Sequence, residues 1–570
     1  MLTPLTLDHD EIRRLDAELV RLSRTSVVDR LTLGVALHRL GRRFRELGFR
    51  TFAMYVRERA SQSARWCGDT RALARRLEER PRLREALVHG RIGWTMAELL
   101  ARHSTPEDEG ERLDAAASMT VREVRDALRA AGHEEAEESE EAFSTIDLTV
   151  TSTELLALEG TRVAVDHVNG GVVEPGHWLE CLLFEGASTL FGGRPDLAAH
   201  YDAVEPPTLR SGTSLVEETA PPPDDDDGLD GEVGDGMREE VVDTDDPVAL
   251  DAIVREVSAR IASRDLWLGE LLSRFLLARG WLQLGYASEQ SYFDERLGLA
   301  RSTARGRVTL ARRMPGLEPL RDAVIQGDVG YEQAALIARV AGPDTTAAWI
   351  ARAKARTFKH LAEEVRAAEL LARVGGDAPR RLEPPDADEV EAVIEFERGV
   401  LSGETIARAL RDDPTEEPVQ MSGGSAVQER RCCFPVRARD EVILDFRRLE
   451  AVHRQSGLPG SFVTFLVVSL WSAWGERFFE GNRWKALHDR DRHRCVSPVC
   501  ESRNCTNHHL RYRGHGGGDE DENQITLCEF CHLDGEHGGR LRVRGTASRP
   551  VWSIGRTPVM RVEGREVVLR

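Results

Sequence analysis

Apolar side chains recur three and four residues apart through most of this chain, the pattern of helices with one buried face. Leu73 and Leu77 follow it, as do Leu83 and Leu87, Leu310 and Met314, and Leu320 and Val324. Paired glycines, Gly90 with Gly93 and Gly327 with Gly330, mark turns between these helices. The two sets are related. From Gly48 and from Gly285 the chain aligns on itself without a gap, and RRLEERPRLREALVHGRIGWTMAELLAR falls on RRMPGLEPLRDAVIQGDVGYEQAALIAR. Roughly two dozen of about 85 aligned positions are identical, which points to a duplicated helical domain and not to a short-period solenoid. In the second copy, SYFDERLGLARSTARGRVTLARR has the form of a helix-turn-helix. Gly298 stands at the turn, and Ser302 or Thr303 is placed to cap a second helix that carries Arg305, Arg307, Arg312 and Arg313. Arg305 and Arg307 are the candidate DNA contacts; the alternative is an ordinary helical hairpin with a solvated arginine face.

Each copy is followed by a short strand that enters a helix, STIDLTVTSTELLALEGTRV from Ser144 and CFPVRARDEVILDFRRLEAV from Cys433. Apolar helices then follow at 178–190 and 462–474 and read as packing surfaces. The stretch PPPDDDDGLDGEVGDG is a flexible acidic linker, and 412–428 is a second break. Past residue 537, GGRLRVRGTASRPVWSIG alternates apolar and polar positions, which predicts a hairpin, and GREVVLR adds one more strand.

At 570 residues, with 41% hydrophobic and 31% charged, the chain has room for three or more domains with cores. A formal net charge of -20 argues against a nucleic-acid partner, but almost all of it lies in two runs, 134–141 and 217–246. From 483 to 513 the sign reverses. Arg483, Lys485, Arg490, Arg492, Arg494, Arg503, Arg511 and Arg513 outnumber the acids there, the local field that phosphate binding needs. Cysteine is sparse outside the C-terminal region, at Cys67, Cys181, Cys432 and Cys433, which fits a reducing cytoplasm. The N-terminus has no signal-peptide pattern, and the apolar stretch 462–474 is too short to span a bilayer.

The densest chemistry is at 495–537, CVSPVCESRNCTNHHLRYRGHGGGDEDENQITLCEFCHLDGEH. Cys495 with Cys500, and Cys528 with Cys531, are two knuckles spaced to hold one structural Zn2+. Cys505 is spare and reads as a small buried hydrophobe. His508 and His509 are neighbours on a strand, so they face opposite ways. A second strand, Gln524–Cys528, opens after Asn523, and a helix beginning near Glu529 carries His532 and His537.

This strand, turn, strand, helix order, with its HH, GG, N and C-x-x-C-H string, resembles the ββα-metal domain of HNH endonucleases. The resemblance implies a metal-dependent endonuclease that hydrolyses phosphodiester bonds in DNA, with double-stranded DNA the expected substrate. By position, His509 would be the general base, and His508 and His532 would hold a catalytic divalent ion, Mg2+ or another. Asn523 would orient His509 and tie the loop to the strand. His537 would be a third ligand, separated from His532 by four residues where the family usually has three. Arg511 and Arg513 would grip phosphate oxygens. The region before it resembles a helical domain of unknown function found upstream of HNH domains, here doubled. Two other readings stay open: a zinc-ribbon regulator that binds DNA without cutting, and a partner-binding helical scaffold with a decayed nuclease tail. Retention of His508, His509, Asn523 and His532 together argues against decay.

The expected fold is therefore mainly α and multidomain, with short mixed α/β segments and a C-terminal ββα-metal domain with a zinc ribbon. Its segments are a helical module at 1–132, an acidic linker at 133–145 and a strand-plus-helix segment at 146–205. A disordered acidic linker at 206–248 leads to the second helical module at 249–375. A variable segment at 376–430, a second strand-plus-helix segment at 431–482 and the metal domain with its hairpin at 483–570 complete it. The expected cell compartment is the cytoplasm, with no membrane contact.

Overall fold

In the computed structural model, residues 7–130, 143–192, 196–198, 201, 204, 242–375, 382–402, 431–458, 460–479 and 485–569 are described. The acidic run 134–141 and most of 217–246 lie outside them. The described chain is mainly helical and has three small antiparallel sheets. Among the described residues no helix is long and apolar enough to cross a membrane.

The sequence arranges its segments one after another, but the chain groups them differently. It forms two units, Met1–Glu135 with Thr213–Leu361, and Ala136–Gly212 with Ala362–Arg570. Each unit draws on both halves of the duplication.

In the first unit the helices His9–Leu40 and Pro247–Leu277 pack along each other. Asp8 caps the first in a capping box with Glu11, and Asp246 caps the second, so both begin on satisfied backbone donors. Ile12, Leu15 and Leu19 of one half bury against Leu268, Leu272, Phe275, Tyr292 and Phe293 of the other. One polar contact between the halves is made twice, with equivalent arginines. Arg59 Nε donates to Asp251 at 2.9 Å, and its repeat equivalent Arg296 donates through Nη2 to Asp16 at 2.7 Å. A Cβ added at Gly93 would stand 2.8 Å from Gly298 Cα, and one at Gly330 would stand 2.2 Å from Ser61 Cβ. The repeat equates 93 with 330 and 61 with 298, so this is one close contact made twice with the copies exchanged. Gly298 and Ser61 both have positive φ, 63° and 48°. The two helical modules are thus one interlocked body.

The turn at Gly298 and the helix after it, Arg301–Arg313, are where the helix-turn-helix reading puts them, with Ala300 at the N-cap in place of Ser302 or Thr303. Arg307, however, is buried. Its Nε and Nη2 donate to the Asp265 carboxylate, both at 2.7 Å, and its side chain is 8% exposed. A guanidinium held inside against a carboxylate is not offered to DNA, which corrects the expectation for this residue. Arg305 is exposed and pairs with Glu289.

In the second unit the two strand-plus-helix segments complete each other. Strand β1, Phe143–Thr151, pairs antiparallel along its whole length with β2, Arg431–Arg439. Among the described residues neither strand has another partner, so each supplies the other's ladder. Ile146, Leu148 and Val150 of β1 and Phe434, Val436 and Ala438 of β2 point into one core. Helices Ser152–Val168, Pro175–Phe191, Asp440–Ser456 and Phe462–Phe479 cover it. The C-terminal part of this unit carries the hairpin β3, Cys505–His509, and β4, Gln524–Cys528. It ends in a four-stranded meander: β5 Leu541–Gly545, β6 Pro550–Ile554, β7 Met560–Glu563 and β8 Glu566–Leu569.

Candidate metal centres and the adjoining loop

Cys495, Cys500, Cys528 and Cys531 are buried, and their sulfurs all lie within 4.8 Å of one another. Backbone bonds shape the knuckles: Cys495 N to Ser502 O at 2.8 Å, Val496 N to Thr526 O at 3.1 Å, and Cys531 N to Cys528 Sγ at 3.4 Å. Cys500 and Cys528 approach to 3.7 Å between sulfurs, too far for a disulfide. A hydrogen bond from Cys495 is the main force holding Cys500 and Cys528 below the ordinary thiol range, while burial pushes Cys495 above it. Four sulfurs this close cannot all ionise without a cation, and a tetrahedral cysteine set is the donor chemistry of a structural metal such as zinc. Cys505 stands outside the set. It is only partly buried and points its thiol to Ser502 O at 3.5 Å, so it is not the core hydrophobe expected.

The second cluster is His508, His532 and His537, whose ring nitrogens also come within 4.8 Å of one another. His508 comes from β3, and the other two from the helix Phe530–His537. That helix is wide, closing its turns i to i+5. This is why the five-residue step from His532 to His537 works: such a turn returns residues five apart to one face. The ring centroids of His532 and His537 are 5.1 Å apart, and each faces His508, at 4.9 and 5.7 Å. Thr506 Oγ1 donates to Leu527 O at 3.3 Å, so it accepts from His532 Nδ1 at 2.9 Å, which leaves His532 Nε2 with its lone pair free. Nε2 of His508 is buried without any hydrogen-bond partner. Burial, with the neighbouring His532 and His537, pushes the His508 imidazole down to about 3. It is therefore neutral at ordinary pH, the form that ligates metal. An orphaned buried nitrogen facing two further imidazoles fits a bound cation.

His509 sits beside His508 but on the other face of β3, half-buried, in register with Gln524. Its Nε2 meets Asp519 Oδ1 at 2.7 Å. Asp519 also takes Arg513 Nη2 at 2.6 Å, and hydrogen bonds from His509 and then Arg513 hold its carboxyl below the usual range. Asn523 directs its side-chain hydrogen bonds to backbone atoms and not to the His509 ring. Its Oδ1 accepts from Arg511 N at 2.8 Å, and its Nδ2 donates to Arg511 O at 3.1 Å and Gly518 O at 2.8 Å. It therefore ties the loop to the strand but does not orient the imidazole directly. This clamp requires glycine at 517, where a Cβ would fall 1.8 Å from Arg511 O. Arg511 is exposed and spends its Nε on His515 O at 2.9 Å.

The basic run before this site is largely used inside the fold. Arg492 and Arg494 pair with Glu363 and Glu397, Arg490 pairs with Asp491, and buried Arg503 lies 3.8 Å from Asp166. These partners neutralise most of the field read from the sequence, while Arg511 and Arg513, on the loop after β3, are exposed. Thr506, Asp519 and Gln524 are site residues that sequence reasoning missed. The one signal for Asp519 was its place directly after the triple glycine. No protein-family model, curated protein or solved structure matches this chain.

Proposed function

We propose that this chain is a metal-dependent endonuclease that hydrolyses phosphodiester bonds in DNA. The observation that carries the reading is the partnerless Nε2 of His508, set among His532 and His537 and next along the strand to His509. A plain zinc ribbon has no use for this second cluster. The four cysteines would hold Zn2+ and staple a region with little core of its own. His508, His532 and His537 would hold the second divalent ion, which when bound supplies neutralising charge at the scissile phosphate. Three imidazoles suit Zn2+ or Ni2+ better than Mg2+, a narrower expectation than the resemblance implies.

His509 is the proton acceptor for the attacking water. Asn523 holds the loop that frames it. Arg511 and Arg513 face solvent and take the phosphate oxygens, Arg513 by exchanging its contact with Asp519 for one with DNA. Arg305 remains a candidate for a more distant phosphate contact, and Arg307 does not.

The test is nicking of supercoiled plasmid by the full chain with added divalent metal. Wild type is expected to cut, and His509→Ala is expected to lose about 100-fold or more in rate while keeping its zinc. A wild type that binds DNA and never cuts would leave the regulator reading in its place.

A further inference from the structure

Asp519 lies in an acidic run, DEDE, that reads as a solvated loop. Its backbone and its carboxylate are both held. Gln524 Nε2 donates to Asp519 O at 2.7 Å, and Gln524 is buried opposite His509 in the β3–β4 register. Asn523 holds the preceding carbonyl, Gly518 O. The rung that carries His509 thus also anchors the loop that faces it. The carboxylate then meets His509 Nε2, and Arg513 approaches the same oxygen.

We propose that Asp519 is a positioning residue for His509: by accepting the Nε2 proton it selects the tautomer in which Nδ1 carries the lone pair and receives the proton of the attacking water. This rests on the reading of His509 as the base. A neutral imidazole has one N–H, and a carboxylate is an acceptor only, so the partner of one ring nitrogen decides the chemistry of the other. The contact also limits rotation of the ring. The Asp519–Arg513 ion pair contributes little to stability, because the two side chains are 55% and 61% exposed. A purely structural role would therefore leave no trace in activity.

The experiment uses the full, zinc-replete chain labelled with 15N-histidine. Long-range 1H–15N correlation reads each tautomer, and the His509 signals are those lost in His509→Gln. In wild type His509 is expected to carry its proton on Nε2. In Asp519→Ala it is expected to become a mixture of tautomers, and in Asp519→Asn to stay on Nε2, because the amide oxygen still accepts. In plasmid nicking, Asp519→Ala is expected to lose about 10–100-fold in kcat with KM unchanged, and Asp519→Asn less. Zinc content and melting should match wild type in both. An unchanged His509 tautomer in Asp519→Ala, or wild-type kcat in that variant, overturns the proposal. If wild type does not nick at all, the nuclease reading has failed, and the tautomer measurement alone decides whether Asp519 places the proton.

Discussion

His508 is buried and His509 is half-exposed, though they are adjacent, because successive side chains of a strand leave on opposite faces. That much was legible in the sequence, since it needs only a strand at that point. What each nitrogen does was not. Thr506 directs His532, and Asp519 directs His509, through single hydrogen bonds whose partners lie 26 and 10 residues away. One carboxylate in a run of four acids was set apart only by following the triple glycine. Asn523 was legible as a loop tie, but its bonds go to the Arg511 and Gly518 backbone and not to His509. Replacing it, Asn523→Ala, should free the loop and lower nicking about 10–100-fold with zinc retained, as outer-sphere partners do. Zinc analysis beside the rate assay checks this; a full rate would show that the clamp is not needed.

At the scale of elements, the cysteine knuckles were legible because each ligand pair is local. The wide helix Phe530–His537 was not, because nothing in its residues distinguishes an i to i+5 turn from an ordinary one. Removing one thiolate, Cys528→Ser, should release the metal and expose the C-terminal strands to protease, while the unit built from the long helices stays protected. Limited proteolysis with mass mapping reads this directly. Acid should act at another place in the same unit. His167 lies against His493, 5.1 Å between ring centroids, and burial pushes it down to about 4. Its folded value is below its unfolded one, so its contribution is present above about pH 6.5 and is lost as pH falls towards 4. His167→Gln should flatten the slope of urea midpoint against pH in that window relative to wild type. Equal slopes would mean that the histidine stays neutral throughout.

Across the whole molecule, the repeat was legible as a duplication, but not the way its copies meet. Arg59 and Arg296 occupy equivalent positions, and each reaches into the other half of the repeat, contacts that no local pattern announces. The basic run failed for the same reason. Glu363, Glu397 and Asp166 neutralise it from more than 90 residues away. The two reciprocal pairs differ in burial, 2% and 3% exposed for Arg59 and Asp251 against 43% and 9% for Arg296 and Asp16. Arg59→Ala should therefore cost about 3–5 kcal/mol, and Arg296→Ala clearly less, in urea unfolding. Because both units contain both halves, a protease site engineered between 213 and 241 should yield two fragments that co-purify. Fragments that separate would contradict the interlock. The central claim is that a second metal, distinct from the cysteine-bound one, makes this chain a nuclease. The most direct measurement is plasmid nicking by zinc-replete protein as Ni2+ or Mn2+ is titrated in, with bound metal counted at each step. The rate should rise with a second equivalent per chain, and His508→Ala should bind only the first and not cut. Cutting that is already complete with one metal, or that persists in His508→Ala, would contradict it.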